Sequence, residues 1–228
     1  MTTRLLLVRP GATRLSTEDR FAGSTDVALS EEGRRQAECL ARRLADDPVC
    51  AVYCSPLTRT IDTATIVAAP HRLVPTPDVG LREIDHGRWE GRTRQEVESG
   101  FGDEYARWEA DPFTFAPAGG ESGLDVMARA LPVIRRIVEA HQGQTVLVVS
   151  HKATIRLVIS SVLGFDARGY RDRLDQAPAC LNVLDFKDAV RARLMLFNDV
   201  SHYADQPQRP SSHLSKWWDG GGGALGSR

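Results

Sequence analysis

Three side chains in this sequence stand where an apolar run gives way to a turn, and each could handle an anion. Arg9 closes Leu5-Leu6-Leu7-Val8 and is followed by Pro10-Gly11-Ala12-Thr13. Arg59 follows Val49 to Cys54 by way of Ser55-Pro56-Leu57-Thr58, so the proline marks a helix entrance and Arg59 falls in the first helical turn. His151 closes Thr145-Val146-Leu147-Val148-Val149-Ser150 and opens Lys152-Ala153-Thr154-Ile155-Arg156. A guanidinium presents a planar fork of donors suited to phosphate or carboxylate, and free N–H groups at a helix start add to it. A fourth group, Glu83 in Leu81-Arg82-Glu83-Ile84-Asp85-His86-Gly87-Arg88-Trp89-Glu90-Gly91, could assist a leaving oxygen if held protonated beside that anion. His86 in the same stretch reads as a solvated loop histidine.

The elements that must position these groups follow from patterning. Continuous apolar runs at 5–8, 49–54 and 145–149 read as strands buried on both faces, which belong to parallel sheets. In an open α/β sheet, ligands bind at the carboxyl ends of such strands. A polar loop from Thr13 to Ala28, carrying Gly23, leads to Ser30, which caps a helix with Ala37, Leu40, Ala41 and Leu44 on one face. A short strand is expected near Leu73 and Val74. Residues 93–111 read as one polar helical stretch with Phe101, Tyr105 and Trp108 on a stripe. Ser122 and Asp125 form a capping box for a helix through Val138. Cys180 to Phe186 and Arg191 to Phe197 read as a hairpin at the sheet edge. The implied fold class is a three-layer α/β/α arrangement, with a mostly parallel central sheet and helices on both faces.

Four of these stretches, in this order, resemble the signatures of the histidine phosphatase superfamily, the phosphoglycerate-mutase-like proteins. Arg9-Pro10-Gly11-Ala12-Thr13 is similar to Arg-His-Gly-x-Thr; Ser55 to Ala64 is similar to Ser-Pro-Leu-x-Arg-x-x-x-Thr-Ala. Leu81 to Gly91 resembles Leu-x-Glu-x-x-x-Gly-x-Trp-Glu-Gly, and Ser150 to Arg156 resembles Ser-His-x-x-x-x-Arg. The resemblance covers residues 4–198. It implies that Arg9, Arg59 and His151 form the anion pocket, with Thr13 and Gly23 also among the anion-binding residues, and that Glu83 and His151 carry catalysis. It also implies that residues 93–121 form a helical insertion roofing the site. Two positions depart from it. Pro10 stands where the family has its nucleophilic histidine, and a pyrrolidine has neither a lone pair to attack phosphorus nor an N–H to offer a phosphate. Ala12 stands where the family usually has Glu or Gln.

Composition limits the partners. With 228 residues, 42% hydrophobic, and 29 basic against 30 acidic residues, the chain can bury one substantial core and shows no excess positive charge for nucleic acid or an anionic membrane. The expected partners are a small phosphorylated or carboxylated metabolite and a second copy of the chain. Only three basic residues are lysines, Lys152, Lys187 and Lys216, which reads as a genomic bias. Cys39, Cys50, Cys54 and Cys180 read as reduced, buried thiols; positions 50 and 54 on one strand lie roughly 13 Å apart, beyond disulfide reach. Neither a metal-ligand pattern nor a cofactor motif is present, and with neither a signal peptide nor a long apolar span the expected location is cytoplasmic. The domain is expected over 1–198. A loose tail is expected over 199–228, with Trp217 and Trp218 available to pin it and a Gly220 to Gly223 run beyond.

Three functions fit these residues. In order of expectation they are an enzyme repurposed to non-hydrolytic isomerisation, elimination or group transfer, a residual phosphomonoesterase using Glu83 or His151, and a non-catalytic phospho-ligand binder.

Overall fold

The computed structural model describes residues 1–17, 20–207 and 214–218. A six-stranded mixed sheet of order β3-β2-β4-β1-β5-β6 forms the centre. Its strands are β1 (Thr3–Val8), β2 (Val49–Cys54), β3 (Thr76–Pro77), β4 (Thr145–Val149), β5 (Leu181–Phe186) and β6 (Ala192–Asp199). β1, β2, β3 and β4 run parallel, while β5 pairs antiparallel with both β1 and β6. The helices are α1 (Arg14–Thr17), α2 (Glu31–Leu44), α3 (Thr58–Ala68), α4 (Arg94–Gly100), α5 (Gly102–Ala110), α6 (Gly123–Ala140), α7 (Lys152–Leu163) and α8 (Tyr170–Arg173).

The apolar strands are continuous because both faces are covered. Leu5, Leu7, Val146 and Val148 pack under α6 and α7, through Ile134, Ile137, Ile155 and Val158. Leu6, Val8, Leu147 and Val149 pack on the other face under α2 and α3, through Leu40, Leu44, Ala64 and Val67. Each fully buried Leu or Val contributes about 1.5–3 kcal/mol of transfer free energy, so alternate residues of one strand hold two helical layers at once. Ser30 caps α2 by accepting from Gly33 N, and the Ser122–Asp125 capping box opens α6, both as the sequence predicts.

Several expectations need correcting. The short strand lies at Thr76–Pro77 instead of 73–74, because Ala69–His71 continues α3 as a 3-10 turn closed by Arg72 in the left-handed region at φ 58°. The 93–111 stretch is two helices, broken at Phe101 (φ -142°, ψ 44°) between Gly100 and Gly102. Its aromatic stripe is core packing: Tyr105 and Trp108 join Phe21 and Trp89 in one cluster, which ties α4 and α5 to the loops either side of the sheet edge. Cys50 is exposed, because the β2–β4 register shifts between Val49 and Ala51 and turns that residue outward. All four cysteines are free.

The start of the expected tail is packed. Val200 is buried with Ala177 and Cys180, and Tyr203 donates its hydroxyl to Pro178 O at 2.6 Å. Further on, Leu214 O accepts from Tyr105 Oη at 2.7 Å and Glu109 accepts from Lys216 N at 3.1 Å. These contacts at 214–216 hold the segment against α5, and Trp217 N donates to Ser215 Oγ at 3.1 Å. The Gly220 to Gly223 run and the Trp218 side chain lie outside the described residues. No helix among the described residues is long and apolar enough to cross a membrane.

Candidate active site

Arg9, Ser55 and His151 stand at the carboxyl ends of three adjacent strands, β1, β2 and β4, whose backbones are joined just there by Ser150 N to Val8 O and Ser55 N to Val149 O. Arg59, in the first turn of α3, reaches across them. It is 6% exposed and donates Nε to His151 Nδ1 at 3.3 Å, Nη1 to Thr25 O at 2.7 Å and Nη2 to Gly23 O at 2.8 Å. His151, 2% exposed, also places Nε2 2.8 Å from Ser55 Oγ. The sequence therefore brings two of the expected anion ligands into direct contact, although they are 92 positions apart.

Arg9 is half-buried and donates Nη1 to Gln176 O. Pro10 is buried beside it; the pyrrolidine projects no hydrogen-bonding atom, and its carbonyl accepts from Ala179 N at 2.9 Å. The turn that follows is tight: a Cβ on Gly11 would lie 2.2 Å from Gly33 O, so only glycine fits under α2. Thr13 is 4% exposed and sits in this turn. Gly23 plays a supporting part instead of offering its amide to an anion, because its N–H is committed to Glu90 at 3.0 and 3.1 Å and its carbonyl to Arg59.

Glu83, 9% exposed, lies over the start of α7. It accepts from Ile84 N at 3.0 Å, Ala153 N at 3.2 Å and Thr154 N at 3.3 Å. Each of these backbone groups donates to the Glu83 side chain. Ser150 Oγ to Leu81 O (2.8 Å), Thr154 Oγ1 to Arg82 O (2.6 Å) and Arg129 to the carbonyls of Gly80, Arg82 and Glu83 (2.8–2.9 Å) strap its loop in place. A cavity of about 180 Å³ opens on Glu83, lined also by Ser24, Leu57, Arg82 and Gly119 to Glu121. The end of the 93–121 segment thus contributes to its wall. A larger depression of about 710 Å³ lies at the opposite edge, by Met1, Thr3 and 187–191, and none of the groups above touches it.

Electrostatics mark the site as short of negative charge. Burial, and then the Arg59 guanidinium, followed by Arg129 and Arg9, hold the His151 imidazole well below its ordinary range, so it is neutral. Burial lowers Arg59 too; Glu83, Asp26 and Glu90 work against that, and Arg9 adds to it. Both shifts have burial as their first cause, and neighbouring guanidinium groups add to it.

The sequence reading left several contributors unassigned. Glu90 accepts from the amides of Gly23, Ser24, Thr25 and His86 and from Thr25 Oγ1, binding the two loops together. It lies inside the Trp-Glu-Gly phrase, as Ser55 lies inside Ser-Pro-Leu, and that membership was the available signal. Lys152, Arg156 and Asp175 form a cluster next to Arg9. His86 is not solvated: its ring packs edge-on to Phe21 at 5.0 Å with Nδ1 buried. Among the described residues no group of three or more His, Cys, Asp or Glu side chains is gathered as metal ligands would be.

The model of the histidine phosphatase superfamily, branch 1, matches residues 5–200. The chain belongs to the histidine phosphatase superfamily. Phosphoserine phosphatase 1 of Hydrogenobacter thermophilus is 34% identical over 163 residues, covering 72% of this chain and 77% of that protein. The glucosyl-3-phosphoglycerate phosphatase of Mycolicibacterium vanbaalenii is 32% identical over 168 residues, covering 71% and 74%. Among solved structures, Bacillus stearothermophilus YhfR superposes with a TM-score of 0.82 at 30% identity, over 88% of this chain and 98% of that one. Histidine phosphatase membership accounts for the convergence of strand ends, loops and helix starts seen here. The enzymes it is similar to are named as phosphatases, which favours phosphate-ester chemistry over the non-hydrolytic reactions that the sequence reading ranked first.

Proposed function

We propose that this chain is a phosphomonoesterase that grips a small phosphorylated metabolite between Arg9, Arg59 and His151 and transfers the phosphoryl group directly to water. The observation that carries the reading is the convergence of the three groups at adjoining strand ends, with Arg59 Nε 3.3 Å from His151 Nδ1 and both side chains buried. A phosphate dianion there offsets the buried positive charge, and charged hydrogen bonds of this kind contribute about 1.5–3 kcal/mol each.

Direct transfer follows from Pro10, which has no nucleophilic atom at the end of β1, and from the Glu83 carboxylate, whose protein contacts are all with donors. Water attacks phosphorus and gives its proton to Glu83. The P–O bond to the alcohol breaks, and the alkoxide takes a proton from solvent, leaving an alcohol and inorganic phosphate. Glu83 then gives its proton to solvent, and Arg9 and Arg59 spread the charge of the transferring group throughout.

The decisive experiment is the stereochemical course with a chiral phosphate ester, together with calorimetry of inorganic phosphate. Inversion at phosphorus is expected, as for one displacement, and Arg59→Ala should weaken phosphate binding at least about tenfold. Retention, or equal phosphate affinity in both proteins, overturns the reading. Tight phosphate binding without measurable turnover replaces it with a phospho-ligand binding protein.

A further inference from the structure

Asn182 stands on β5 in a run of buried residues, where an apolar side chain is the expected occupant, and it is itself fully buried. Its register partner on β1 is Leu7, which comes just before Val8 and Arg9. A buried amide is costly unless it is paired, and every hydrogen-bonding position of this one is filled. Nδ2 donates to Leu7 O at 3.0 Å and to Gln176 Oε1 at 2.8 Å, while Oδ1 accepts from Asn198 N at 2.9 Å and from Gln176 Nε2 at 2.8 Å. The two backbone partners settle which way round the amide stands, because a carbonyl needs a donor and an N–H an acceptor. Asn182 therefore leaves Gln176, also fully buried, a single orientation.

Gln176 joins this network to the active site. Its backbone carbonyl accepts from Arg9 Nη1, and the chain that follows it ties down the end of β1: Cys180 O accepts from Arg9 N at 3.3 Å, and Ala179 N donates to Pro10 O at 2.9 Å. That stretch does not hold its shape unaided. Ala179 sits in the left-handed region at φ 51°, which a β-carbon disfavours and which persists only where surrounding contacts enforce it. The enforcing contacts come from side chains of the same network. Cys180 Sγ lies 3.0 Å from Gln176 Oε1, and Asn198, held by Asn182, accepts from Ala177 N through Oδ1 at 2.7 Å. Arg59 is buried and set by its contacts with Gly23, Thr25 and His151, whereas Arg9 is half-buried and its guanidinium is held at Gln176 O.

We infer that Asn182 is a positioning residue for Arg9: paired with Gln176, it holds residues 176–180 in the one conformation that aims the guanidinium at the bound anion. The inference rests on the phosphate-pocket reading and deepens it, since it names what controls the affinity of that pocket from behind. A fully satisfied buried polar network is rigid, and a planar fork of donors gains most from phosphate when its direction is fixed. An apolar side chain at 182 would serve β5 as a strand but would not set Gln176.

The test is calorimetry of inorganic phosphate on the full chain, with each network variant made alone and combined with Arg9→Met. Arg9→Met should weaken phosphate binding at least about tenfold, the loss of a charged hydrogen bond. Gln176→Met keeps the backbone carbonyl that Arg9 uses and removes only the side-chain pair; it and Asn182→Leu should each weaken phosphate binding at least about fivefold. In the Arg9→Met background the same changes should move the affinity by less than about twofold, because the group they misplace is already gone. A purely structural role would lower the urea midpoint without this dependence on Arg9. Gln176→Met leaves Asn182 its contacts with Leu7 and Asn198, so it carries the test alone where Asn182→Leu does not fold. Wild-type affinity in either folded variant, or an equal loss with and without Arg9, overturns the positioning role and leaves the phosphate pocket standing. Unchanged phosphate affinity in Arg9→Met overturns the place of Arg9 in the pocket, and the positioning role with it.

Discussion

Arg59 Nε donates to Nδ1 of His151 at 3.3 Å, while Nε2 of the same ring lies 2.8 Å from Ser55 Oγ. A nitrogen that receives an N–H must keep its lone pair, so the ring proton sits on Nε2 and is given to Ser55. His151 is therefore no base toward Ser55, and the serine, fully buried, is an anchor for the ring. Charge on the imidazole waits for an anion between it and Arg59.

That arrangement has a spectroscopic consequence. Nitrogen-detected NMR of labelled protein should find His151 as the neutral Nε2–H tautomer at pH 7 without phosphate. Added phosphate should raise its pKa, since burial and then Arg59 are what lower it. A ring already protonated at pH 7 in the anion-free protein contradicts this.

Pro10→His should give phosphatase turnover at least about tenfold above the wild type on the same ester, together with an acid-labile phosphoenzyme that the wild type lacks. Nucleophilic catalysis replaces one difficult displacement by two easier ones. The substitution keeps the carbonyl that binds Ala179 N, so the strand end should hold. Rapid acid quench and initial rates measure both effects; unchanged rates with no phosphoenzyme would show that Arg9, Arg59, Glu83 and His151 cannot serve an imidazole there.

Glu90→Gln should destabilise the protein by about 3 kcal/mol, because an amide presents a donor to amides of residues 23–25 and 86 that need an acceptor. Burial opposes ionisation of Glu90, but Thr25 and the amide of His86 outweigh it and lower its pKa. For a carboxyl so lowered, the stabilisation is present above its unfolded value near 4.5 and is lost as pH falls through the folded one. Urea unfolding at pH 7 and pH 4 should show the gap between variant and wild type closing at the lower pH.

Acid should weaken the fold earlier than the carboxylates alone would. Burial holds the imidazoles of His86 and His151 below their ordinary value, and burial with Arg43 holds His202 at about 4. As pH falls below about 6.5 the unfolded chain takes up these protons first, so stability is full above that value and declines beneath it. Denaturant midpoints between pH 7.5 and 4.5 check the slope, and His202→Asn should flatten it.

The parallel core was legible because its signals are local: apolar runs covered on both faces, Ser30 and Ser122 as caps, Pro56 before a helix. Arg9, Arg59 and His151 were legible because each closes or follows such a run. Glu90, Lys152, Arg156 and Asp175 were not, since what defines them is contact across 65 to 67 positions for Glu90 and the sharing of one oxygen for the others. The shift of β3 to 76–77 depends on one left-handed residue, Arg72, and the exposure of Cys50 on one register shift, and neither has a mark in composition. Gly23 was expected among the anion-binding residues, and its N–H is held by Glu90 across 67 positions, a contact with no local signal.

Residues 9 and 10 are tied to the segment before β5 at three points: Arg9 N to Cys180 O, Arg9 Nη1 to Gln176 O, and Ala179 N to Pro10 O. β1 thus acquires its finished carboxyl end only once β5 pairs antiparallel with it and sets that segment. A chain ending after α7 contains Arg9, Arg59, Glu83 and His151 but lacks these three ties of residues 9 and 10. The position of Arg9 is thereby coupled to docking of a strand that pairs across 175 residues of sequence, Leu7 to Asn182.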